Sequence, residues 1–478
     1  METISREELV SILREHLGEA LLYGDAIPSH YHSDWTGHAP CQPLALYRPT
    51  TTEEVARCLA LCNQYRVPVV PQGGLTGLAA GAEPTADVVA VSLDRLTGPI
   101  EINEASGTLT SWAGNTLEAV QQKAEQHGWR YPVDFGARGS CQIGGNIATN
   151  AGGHAVIRHG MTRQQVLGLE VVLADGRILN LLSPMIKNNT GYDLKHYFIG
   201  SEGTLGIITR AVLRLSPLLG QTQTVLCALP DYESALNLLA TMRRPGVEIE
   251  AFEVMWNCFY AMSCDWLQKT PPLEAHHPLY VLCEVEGNAA LVEEALAEAM
   301  EAGAVVDAVF ASSEQQAQQL WEIREATAEF PVKMSPINFD ISLPLPEIGR
   351  FVESATAAIL SEWPAARVVN FGHIGDGNLH LTIDARSLPD QNKETVLAAE
   401  EIIYRLVANY HGAISAEHGI GVLKKAFLHH SVDELALSAM RSIKQSLDPK
   451  GILNPGKIFD MPRDVSDVSS NDDLNHDN

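Results

Sequence analysis

The chain contains few basic residues for its size. Its 33 Lys and Arg face 59 Asp and Glu, which gives a formal net charge of −26 at pH 7. Such a deficit of positive charge argues against binding to nucleic acid or to an anionic membrane surface. The sequence also lacks an apolar run of membrane-spanning length, and its first eight residues match neither a signal peptide nor an Arg-rich transit peptide. We therefore expect a cytoplasmic protein with no nucleic-acid partner.

Cysteine is scattered and forms no metal-binding or redox motif. None of the eight cysteines belongs to a Cys-x-x-Cys pair. In a chain this long, such scatter is typical of reduced, buried thiols. With 478 residues, of which 45% are hydrophobic, the chain is globular and exceeds the size of one ordinary core.

The pattern of apolar runs and glycine-rich loops changes along the sequence. Up to about residue 220, short apolar runs alternate with glycine-rich loops, as in an α+β domain with many tight turns. From residue 222, predicted strands and helices alternate, which indicates a ferredoxin-like domain with helices on one face of a sheet. The predicted units run 224–229, 232–242 and 247–254; 279–285, 289–302 and 305–310; and 337–343, 345–360 and 366–371.

We divide the chain accordingly. Residues 1–220 form the first domain and residues 221–420 the second, and residues 421–460 are a helix and loop that return to the first domain. Residues 461–478 include a run rich in Ser, Asp and Asn without periodicity, which we expect to be a disordered tail.

An Asp-Gly pair at 376–377 lies between alternating apolar residues, the strongest short-range signal of a β-hairpin. A two-residue turn at this pair sets His373 opposite His380, with Cβ atoms about 5 Å apart. Two imidazoles at this separation can bind one metal ion, and Glu417, followed by His418, is a candidate for a third ligand. Two His and one Glu with an open coordination position form a pattern typical of catalytic metal sites. The alternative is a structural hairpin with incidental histidines.

Three glycine-rich loops lie in the first domain. The first is Gly73-Gly74-Leu75-Thr76-Gly77, which follows a predicted strand, and the others span residues 139–153 and 200–206. Glycines let the backbone approach a ligand closely, and successive N–H groups can form an anion-binding nest. None of the loops is a GxGxxG or Walker motif. Each alone could be a structural turn, but three together favour a large nucleotide cofactor.

These loops, together with Asn189-Thr190-Gly191-Tyr192-Asp193-Leu194-Lys195, resemble the FAD-binding domain of vanillyl-alcohol-oxidase-type flavoproteins. His373-x-Gly-Asp-Gly-Asn-x-His380 and the segments 415–421 and 448–457 resemble, more narrowly, the FAD-dependent D-2-hydroxyacid dehydrogenases. That family includes D-2-hydroxyglutarate and D-lactate dehydrogenases and the flavoprotein subunit of glycolate oxidase. The resemblance spans roughly residues 30 to 460, and its motifs occur in order.

The resemblance implies a fold and a reaction. The fold is α+β, with a two-part FAD-binding domain of the vanillyl-alcohol-oxidase type and a ferredoxin-like substrate domain. The reaction is oxidation of a D-2-hydroxy acid to the 2-oxo acid by hydride transfer to non-covalently bound FAD, assisted by a divalent metal, expected to be Zn²⁺, and a His base.

The resemblance also assigns roles to individual residues. His373, His380 and Glu417 match the metal ligands, His418 the catalytic base, and Arg324 the arginine that binds a substrate carboxylate. The alternative for Arg324, without a role in substrate binding, is a surface ion pair within its helix. The implied FAD-binding residues are Gly73, Gly74, Leu75, Thr76, Gly77, Ser140, Gly144, Gly145, Asn146, Ala148, Ala151, Ile207 and Asn454.

The substrate-binding positions depart from the family pattern. Members specific for 2-hydroxyglutarate carry a Lys where this chain has Asn338, an Asn where it has Thr382, and a Thr where it has Ala328. The FAD and metal motifs are intact. We therefore expect D-2-hydroxyglutarate not to be the best substrate.

Alternative functions remain open at this point. Within the class, the chain could be the flavoprotein subunit of a glycolate-oxidase-type complex or a true D-2-hydroxyglutarate dehydrogenase. A metallohydrolase with structural glycine loops and a non-catalytic flavin- or metal-binding scaffold are alternatives from other classes. The electron acceptor could be an electron-transfer flavoprotein, a quinone or a cytochrome, and the oligomeric state, which could be a homodimer, is not fixed by the sequence.

Overall fold

The computed structural model describes residues 5–388, 390 and 392–461. The tail expected to be disordered lies, from residue 462 onward, outside the described residues. Among the residues that are described, no helix has the length and apolar character needed to cross a membrane.

Three sheets occupy the amino-terminal part of the chain. Their orders are β1-β2-β4-β3, β5-β6-β10-β8-β9 and β11-β7, and β4 pairs in parallel with both β2 and β3. The strands are β1 (Leu21–Leu22), β2 (Ala45–Tyr47), β3 (Val69–Gln72), β4 (Val89–Ser92), β5 (Glu101–Asn103), β6 (Thr108–Trp112), β7 (Trp129–Arg130), β8 (Val166–Val172), β9 (Ile178–Leu181), β10 (Ile207–Arg214) and β11 (Ser216–Pro217).

Seven helices accompany these sheets within the described residues. They are α1 (Arg6–Leu17), α2 (Thr52–Tyr65), α3 (Leu117–Glu125), α4 (Ile143–Thr149), α5 (Val156–His159), α6 (Thr162–Gln165) and α7 (Lys195–Phe198). The side chains of Ser5 and Thr51 accept hydrogen bonds from the first turns of α1 and α2, as capping residues do. The apolar face of α2, with Val55, Leu59 and Cys62, packs into one core with the strands of these sheets.

The carboxy-terminal part contains one seven-stranded antiparallel sheet of order β15-β12-β14-β13-β17-β18-β16. Its strands are β12 (Thr222–Leu229), β13 (Val247–Trp256), β14 (Leu279–Gly287), β15 (Asp307–Phe310), β16 (Pro336–Ser342), β17 (Val368–His373) and β18 (Asn378–Asp384). The helices are α8 (Tyr232–Met242), α9 (Asn257–Trp266), α10 (Ala289–Glu301), α11 (Glu314–Arg324), α12 (Phe330–Lys333), α13 (Ile348–Glu362), α14 (Lys393–Asn409) and α15 (Glu434–Leu447).

The element order of this sheet is that of a ferredoxin-like fold. β12, α8, β13, β14, α10 and β15 follow the βαββαβ pattern, and β16, α13, β17, β18 and α14 repeat its first five elements. The two units share one sheet because β13 of the first pairs with β17 of the second. The predicted α+β class is confirmed.

The expectation of helices on only one face of this sheet is wrong. One face packs against α8, α10, α13 and α14, and the other packs against α9 and α11. Strands β12 and β14 are buried and largely apolar on both faces, so no polar alternation indicates the second layer of helices there. The polar sequence of α11, with only Leu320, Ile323 and Arg324 buried, gives a weak helical signal as well.

The predicted two-residue hairpin turn is also wrong. The strands pair Phe371 with His380, so His373 lies diagonally across from His380 instead of directly opposite. A short 3₁₀ turn covers Ile374–Asp376, and Gly377 follows with φ +89°. The Asp-Gly pair therefore ends a turn that is longer than two residues, with Gly377 in the left-handed conformation. The longer turn shifts the register between β17 and β18 from the predicted one.

The carboxy-terminal segment lies against β3. Val69 donates its backbone N–H to Ile452 O and accepts from the N–H of Asn454, both at 2.7 Å. Buried Lys444 donates to Leu453 O and to the carboxylate of Asp448. These bonds hold the loop that carries Asn454 beside the glycine loop that follows β3.

Candidate active site

Side-chain alternation places the predicted site residues on one face of the seven-stranded sheet. Residues of even number on β16 and β18, and of odd number on β17 and on β13 after its bulge, share this face. Their neighbours in sequence point into the core beneath α8, α10, α13 and α14. The site-face residues are Glu253, Asn338, Asp340, Phe371, His373, His380 and Thr382.

The three predicted metal ligands converge. The ligand atoms of His373, His380 and Glu417 all lie within 4.8 Å of one another. The two rings meet edge to face with centroids 5.2 Å apart. Two imidazoles and one carboxylate, all half-buried, form a donor set that suits a divalent cation such as zinc.

The two histidines differ in their electrostatic surroundings. Burial, followed by the charge of His373, lowers the pKa of His380 well below its usual value, which favours the neutral, metal-binding form. Burial also opposes the charge of His373, but the carboxylate of Glu253, 2.6 Å from its Nδ1, outweighs this and raises its pKa to about 9. Glu253 in turn is fully buried, yet His373 and Arg324 lower its pKa to about 2.

Asp340 fixes the loop that carries Glu417 and His418. Its Oδ2 accepts the backbone N–H groups of Glu417 at 2.9 Å and of His418 at 3.2 Å, and its Oδ1 accepts from the amide of Asn378. Burial opposes ionisation of Asp340, but the charges of His418, Lys424 and His380 lower its pKa far below the usual range. His418 Nδ1 lies 3.6 Å from the same carboxylate, so the predicted base sits beside a fixed negative charge.

Arg324 reaches the site from the last turn of α11. Its Nε donates to Glu253 Oε2 at 2.7 Å, and its guanidinium lies over the ring of Phe371, 4.9 Å from the centroid. The side chain is only 8% exposed. The surface ion pair kept as an alternative for Arg324 is therefore wrong, because both partners are buried in the sheet face that holds the histidines.

Asn338 and Thr382 face each other two residues along their strands from Asp340 and His380. Thr382 donates its hydroxyl to Asn338 Oδ1 at 2.9 Å, which fixes the amide and leaves its NH₂ group as a donor. Two of the three positions that depart from the family pattern are thus in direct contact.

The first glycine loop is shaped to bind an anion. The backbone N–H groups of residues 73–77 donate no hydrogen bond to any described residue. A Cβ on Gly74 would lie 2.0 Å from Ser140 O, so only glycine allows this loop to pack on the second loop. Free N–H groups next to a close backbone contact fit the diphosphate of FAD.

The second loop leads into α4. Gly144 packs against Ala113, and Gly145 faces open space. Nearby, Gln142 Oε1 is buried without a hydrogen-bond partner among the described residues, as expected where a polar cofactor group binds. Of the other predicted FAD residues here, Ala148 O accepts the N–H of Glu202, and Ala151 O accepts from Thr162. Buried Asn146 donates its amide to Cys141 Sγ at 3.5 Å.

Ile207 and Asn454 border the same region. Ile207 begins β10 and is buried. The amide of Asn454 donates to Gly81 O at 3.0 Å and to Glu202 O at 2.7 Å, and its Oδ1 is buried without a partner among the described residues. Asn454 thus joins three loops and retains one free acceptor.

Sequence reasoning missed two functional candidates, Glu253 and Asp340. Both are charged residues in the middle of buried strands, a location that is rare without a specific partner. Glu253 is 120 residues away from His373, so no local motif joins them. The signal that could have found them is a carboxylate flanked by apolar residues within a strand, as in Phe252-Glu253-Val254 and Phe339-Asp340-Ile341.

Comparison with known proteins agrees with this geometry. Residues 43–182 match the family described as FAD binding domain, and residues 220–458 match FAD linked oxidases, C-terminal domain. The chain is 42% identical over 444 residues to D-2-hydroxyglutarate dehydrogenase of Xanthomonas citri pv. viticola, and this alignment covers 90% of this chain and 92% of the relative. It is 38% identical over 448 residues to D-2-hydroxyglutarate dehydrogenase of Stutzerimonas stutzeri, and this alignment covers 92% of this chain and 96% of the relative.

Among solved structures, 4-ethylphenol oxidase from Gulosibacter chungangensis shares the fold. It superposes with a TM-score of 0.74 at 18% identity, over 97% of this chain and 99% of that one. The fold is therefore that of the vanillyl-alcohol-oxidase-type flavoproteins, as expected. Since both family matches and relatives of this identity and coverage agree, the chain is an FAD-dependent oxidoreductase that belongs to the D-2-hydroxyacid dehydrogenase family.

Proposed function

We propose that the protein oxidises a D-2-hydroxy acid to the 2-oxo acid with hydride transfer to FAD, and that a divalent metal and His418 assist. The observation that carries the proposal is the convergence of His373, His380 and Glu417 beside a flavin-loop backbone. When bound, a divalent cation, which we take to be Zn²⁺, supplies a Lewis acid at the 2-hydroxyl. When bound, FAD supplies the hydride acceptor.

The chain's own residues bind and orient the acid in this proposal. Arg324 holds a substrate carboxylate, because its Nη groups make no hydrogen bond to any described residue and a guanidinium pairs well with a carboxylate. His418 accepts the hydroxyl proton, since an imidazole suits general-base catalysis near neutral pH and Asp340 stabilises the imidazolium. Buried Glu253 holds the side chain of Arg324, and buried Asp340 holds the backbone of His418, which limits the motion of the site.

The 13 residues assigned to FAD binding in the sequence are part of the proposal. Free N–H groups in residues 73–77 and the unpaired Gln142 Oε1 and Asn454 Oδ1 support it. Non-covalent attachment is supported because loop 73–77 contains no His or Cys. The two other residues considered for a linkage have neighbours of their own: Cys141 accepts from Asn146, and His159 lies 3.5 Å from Glu250.

The attachment of FAD can be tested directly. Acid or heat denaturation of the purified protein should release all the flavin into the supernatant. Yellow colour that stays with the precipitated polypeptide would contradict the proposal.

We propose that the preferred acid has a small or neutral side chain, with D-lactate as the simplest example. Asn338, which is exposed, supplies a neutral donor where a cation would pair more strongly with a distal carboxylate. D-2-hydroxyglutarate is the second candidate, and the names of the two relatives favour it.

The remaining features complete the proposal. The domains are residues 1–220, 221–420 and 421–460; the location is cytoplasmic; and the protein could self-associate as a homodimer. The electron acceptor is an electron-transfer flavoprotein, a quinone or a cytochrome. The high negative charge supports the absence of a nucleic-acid partner.

The alternative functions have less support than the proposed one. The named relatives are dehydrogenases, which disfavours the glycolate-oxidase-type subunit. The match to an FAD binding domain disfavours a metallohydrolase. The presence of both Glu417 and His418 next to the sheet site disfavours a non-catalytic scaffold.

Anaerobic flavin reduction is the test of the proposed function. We expect D-2-hydroxy acids to bleach the flavin and their L-enantiomers not to do so. Removal of metal with a chelator should slow bleaching, and addition of Zn²⁺ should restore it. Bleaching that is insensitive to metal removal would contradict the metal, and bleaching by the L-acids would contradict the stereochemistry.

A further inference from the structure

Glu253 is a buried carboxylate that contacts two site residues at once. It lies on β13 in the middle of the seven-stranded sheet, and its side chain is 0% exposed. Oε1 lies 2.6 Å from Nδ1 of His373, and Oε2 accepts from Nε of Arg324 at 2.7 Å. One side chain thus bonds a candidate metal ligand on β17 and a candidate substrate ligand on α11.

The contact with His373 decides which ring nitrogen can bind a metal. An ionised carboxylate only accepts hydrogen bonds, so Nδ1 of His373 is a donor and Nε2 is the nitrogen left to bind a metal. Such a carboxylate partner fixes both the tautomer and the ring orientation of a metal-binding histidine.

The contact with Arg324 orients the guanidinium in the same way. The bond from Nε leaves the two Nη groups without a hydrogen-bond partner among the described residues. Phe371 supports the guanidinium plane from one side. The guanidinium of Arg324 is therefore held in place by the hydrogen bond at Nε. Its two Nη groups remain free to donate to a carboxylate, as a carboxylate-binding group requires.

We propose that Glu253 is a positioning residue that couples the metal site to the substrate-carboxylate site by holding His373 with one oxygen and Arg324 with the other. This inference rests on the proposed function, since it takes His373 as a metal ligand and Arg324 as a substrate ligand.

A purely structural role explains the arrangement less well. A buried ion pair seldom stabilises a protein more than apolar residues of similar size do. Asp340, the other buried carboxylate here, already accepts from Asn378 and from the backbone of Glu417 and His418, and it lies 3.7 Å from His380 Nδ1. Of the two histidines proposed as metal ligands, His373 alone has a carboxylate of a described residue within hydrogen-bond distance of its ring.

Glu253→Gln is the informative variant. Glutamine has the same shape but offers one acceptor and one donor end. If its oxygen accepts from Arg324, its NH₂ must donate to Nδ1 of His373, which moves the ring proton to Nε2; if its oxygen accepts from His373, its NH₂ faces Nε of Arg324, which cannot accept. We expect the affinity for Zn²⁺ to fall about ten- to a hundredfold, the usual effect of removing a partner of a metal-binding histidine. We also expect KM for the hydroxy acid to rise about tenfold.

Glu284→Gln is the matched control. Glu284 lies on the same sheet face, on β14, and its Oε2 accepts from Trp321 of the same helix α11 at 2.8 Å, without touching His373 or Arg324. Its Zn²⁺ affinity and KM should equal those of the wild type.

The measurements are Zn²⁺ affinity by competition with a chromophoric chelator, together with kcat and KM, on the FAD-bound full chain. Excess Zn²⁺ should restore kcat of Glu253→Gln and leave KM raised, because occupancy of the metal site does not reorient Arg324. A structural defect would instead lower kcat without shifting Zn²⁺ affinity. Unchanged Zn²⁺ affinity and unchanged KM in a metal-dependent enzyme would overturn the coupling.

Failure of the proposed function gives a different result. A wild-type protein that neither retains Zn²⁺ nor loses activity on chelation contradicts the metal site itself. If Glu253→Gln does not fold, Glu253→Asp replaces it, because Asp keeps the charge and shortens the reach by one methylene. Wild-type Zn²⁺ affinity and KM in a folded Asp variant would overturn the inference equally.

Discussion

Gly153 donates its backbone N–H to Oε1 of Glu417 at 3.1 Å. The first residue belongs to a loop proposed to line the flavin, and the second is a proposed metal ligand 264 residues away. Gly153 has φ +132°, and a Cβ there would lie 2.0 Å from Asp134 O, so only glycine fits. One hydrogen bond therefore links the loop proposed to line the flavin to a residue of the proposed metal site.

Removal of one proposed metal ligand should separate metal binding from flavin binding. We expect His380→Ala to lose metal and turnover and to retain FAD, because His380 is on β18 while the FAD loops follow β3 and precede α4. The measurement is the ratio of zinc to FAD in the purified variant, with kcat for a D-2-hydroxy acid. Exposed His276→Ala is the control and should behave as wild type. Full zinc content in His380→Ala would contradict its assignment.

Removal of the proposed base should have a different signature. We expect His418→Ala to keep both metal and FAD and to slow flavin reduction about a hundredfold or more, the scale of general-base catalysis. The contact that orders this loop uses the backbone N–H of residue 418, which alanine retains. Rapid-mixing absorbance under anaerobic conditions measures the step. An unchanged reduction rate would remove His418 from the mechanism.

The elements with strong local signals could be predicted from the sequence. Helix α8 has the predicted bounds because Asp231 caps it and its apolar residues have helical spacing. The site was only partly predictable. His373, His380 and Glu417 were recognised by their motifs, but the hairpin register depended on whether the Asp-Gly pair formed a two-residue turn. Glu253 and Asp340 act through contacts between residues distant in sequence, which no local pattern encodes.

Glu250 forms a buried ion cluster between β13 and the amino-terminal part of the chain. It occupies the bulge in β13 and contacts Arg130 of β7 and Arg158 and His159 of α5, while Glu286 of β14 shares Arg158. Burial opposes its charge, but the bonds from His159 and Arg130 lower its pKa to about 2.

This depressed pKa predicts the pH dependence of stability. A carboxyl whose pKa is lower in the folded state stabilises the protein above its unfolded pKa of about 4.3 and loses this contribution as the pH falls toward 2. We expect Glu250→Gln to lower the free energy of unfolding at pH 7 by on the order of 3 kcal/mol, from a shift of about two units.

Denaturant unfolding at pH 7, 5, 4 and 3 checks this prediction. The difference between wild type and Glu250→Gln should shrink as the pH falls below about 4.3. Glu298→Gln is the control, since its pair with Arg244 lies in solvent and should contribute little to stability. A difference that is constant with pH would show that the charge of Glu250 is not its source.

The last prediction concerns the choice of substrate at Asn338. A dicarboxylate such as D-2-hydroxyglutarate needs a cation for its distal carboxylate, and here an amide bonded to Thr382 stands in the place of a Lys. The missing charge-assisted hydrogen bond is worth on the order of 1–2 kcal/mol, or about tenfold in affinity. We expect wild type to have a higher kcat/KM for D-lactate than for D-2-hydroxyglutarate.

Asn338→Lys should shift the ratio of the two kcat/KM values about tenfold toward D-2-hydroxyglutarate. Asn338→Met is the matched control, because its side chain extends like that of Lys without the charge and should not favour the dicarboxylate. Lys333, exposed at the end of α12, is a cation that could take the vacant role if its loop moved, and Lys333→Gln tests this. If wild type already prefers D-2-hydroxyglutarate while Lys333→Gln abolishes the preference, Lys333 supplies the charge. If wild type prefers D-2-hydroxyglutarate regardless of Lys333, or if Asn338→Lys leaves the ratio unchanged, the charge argument is wrong.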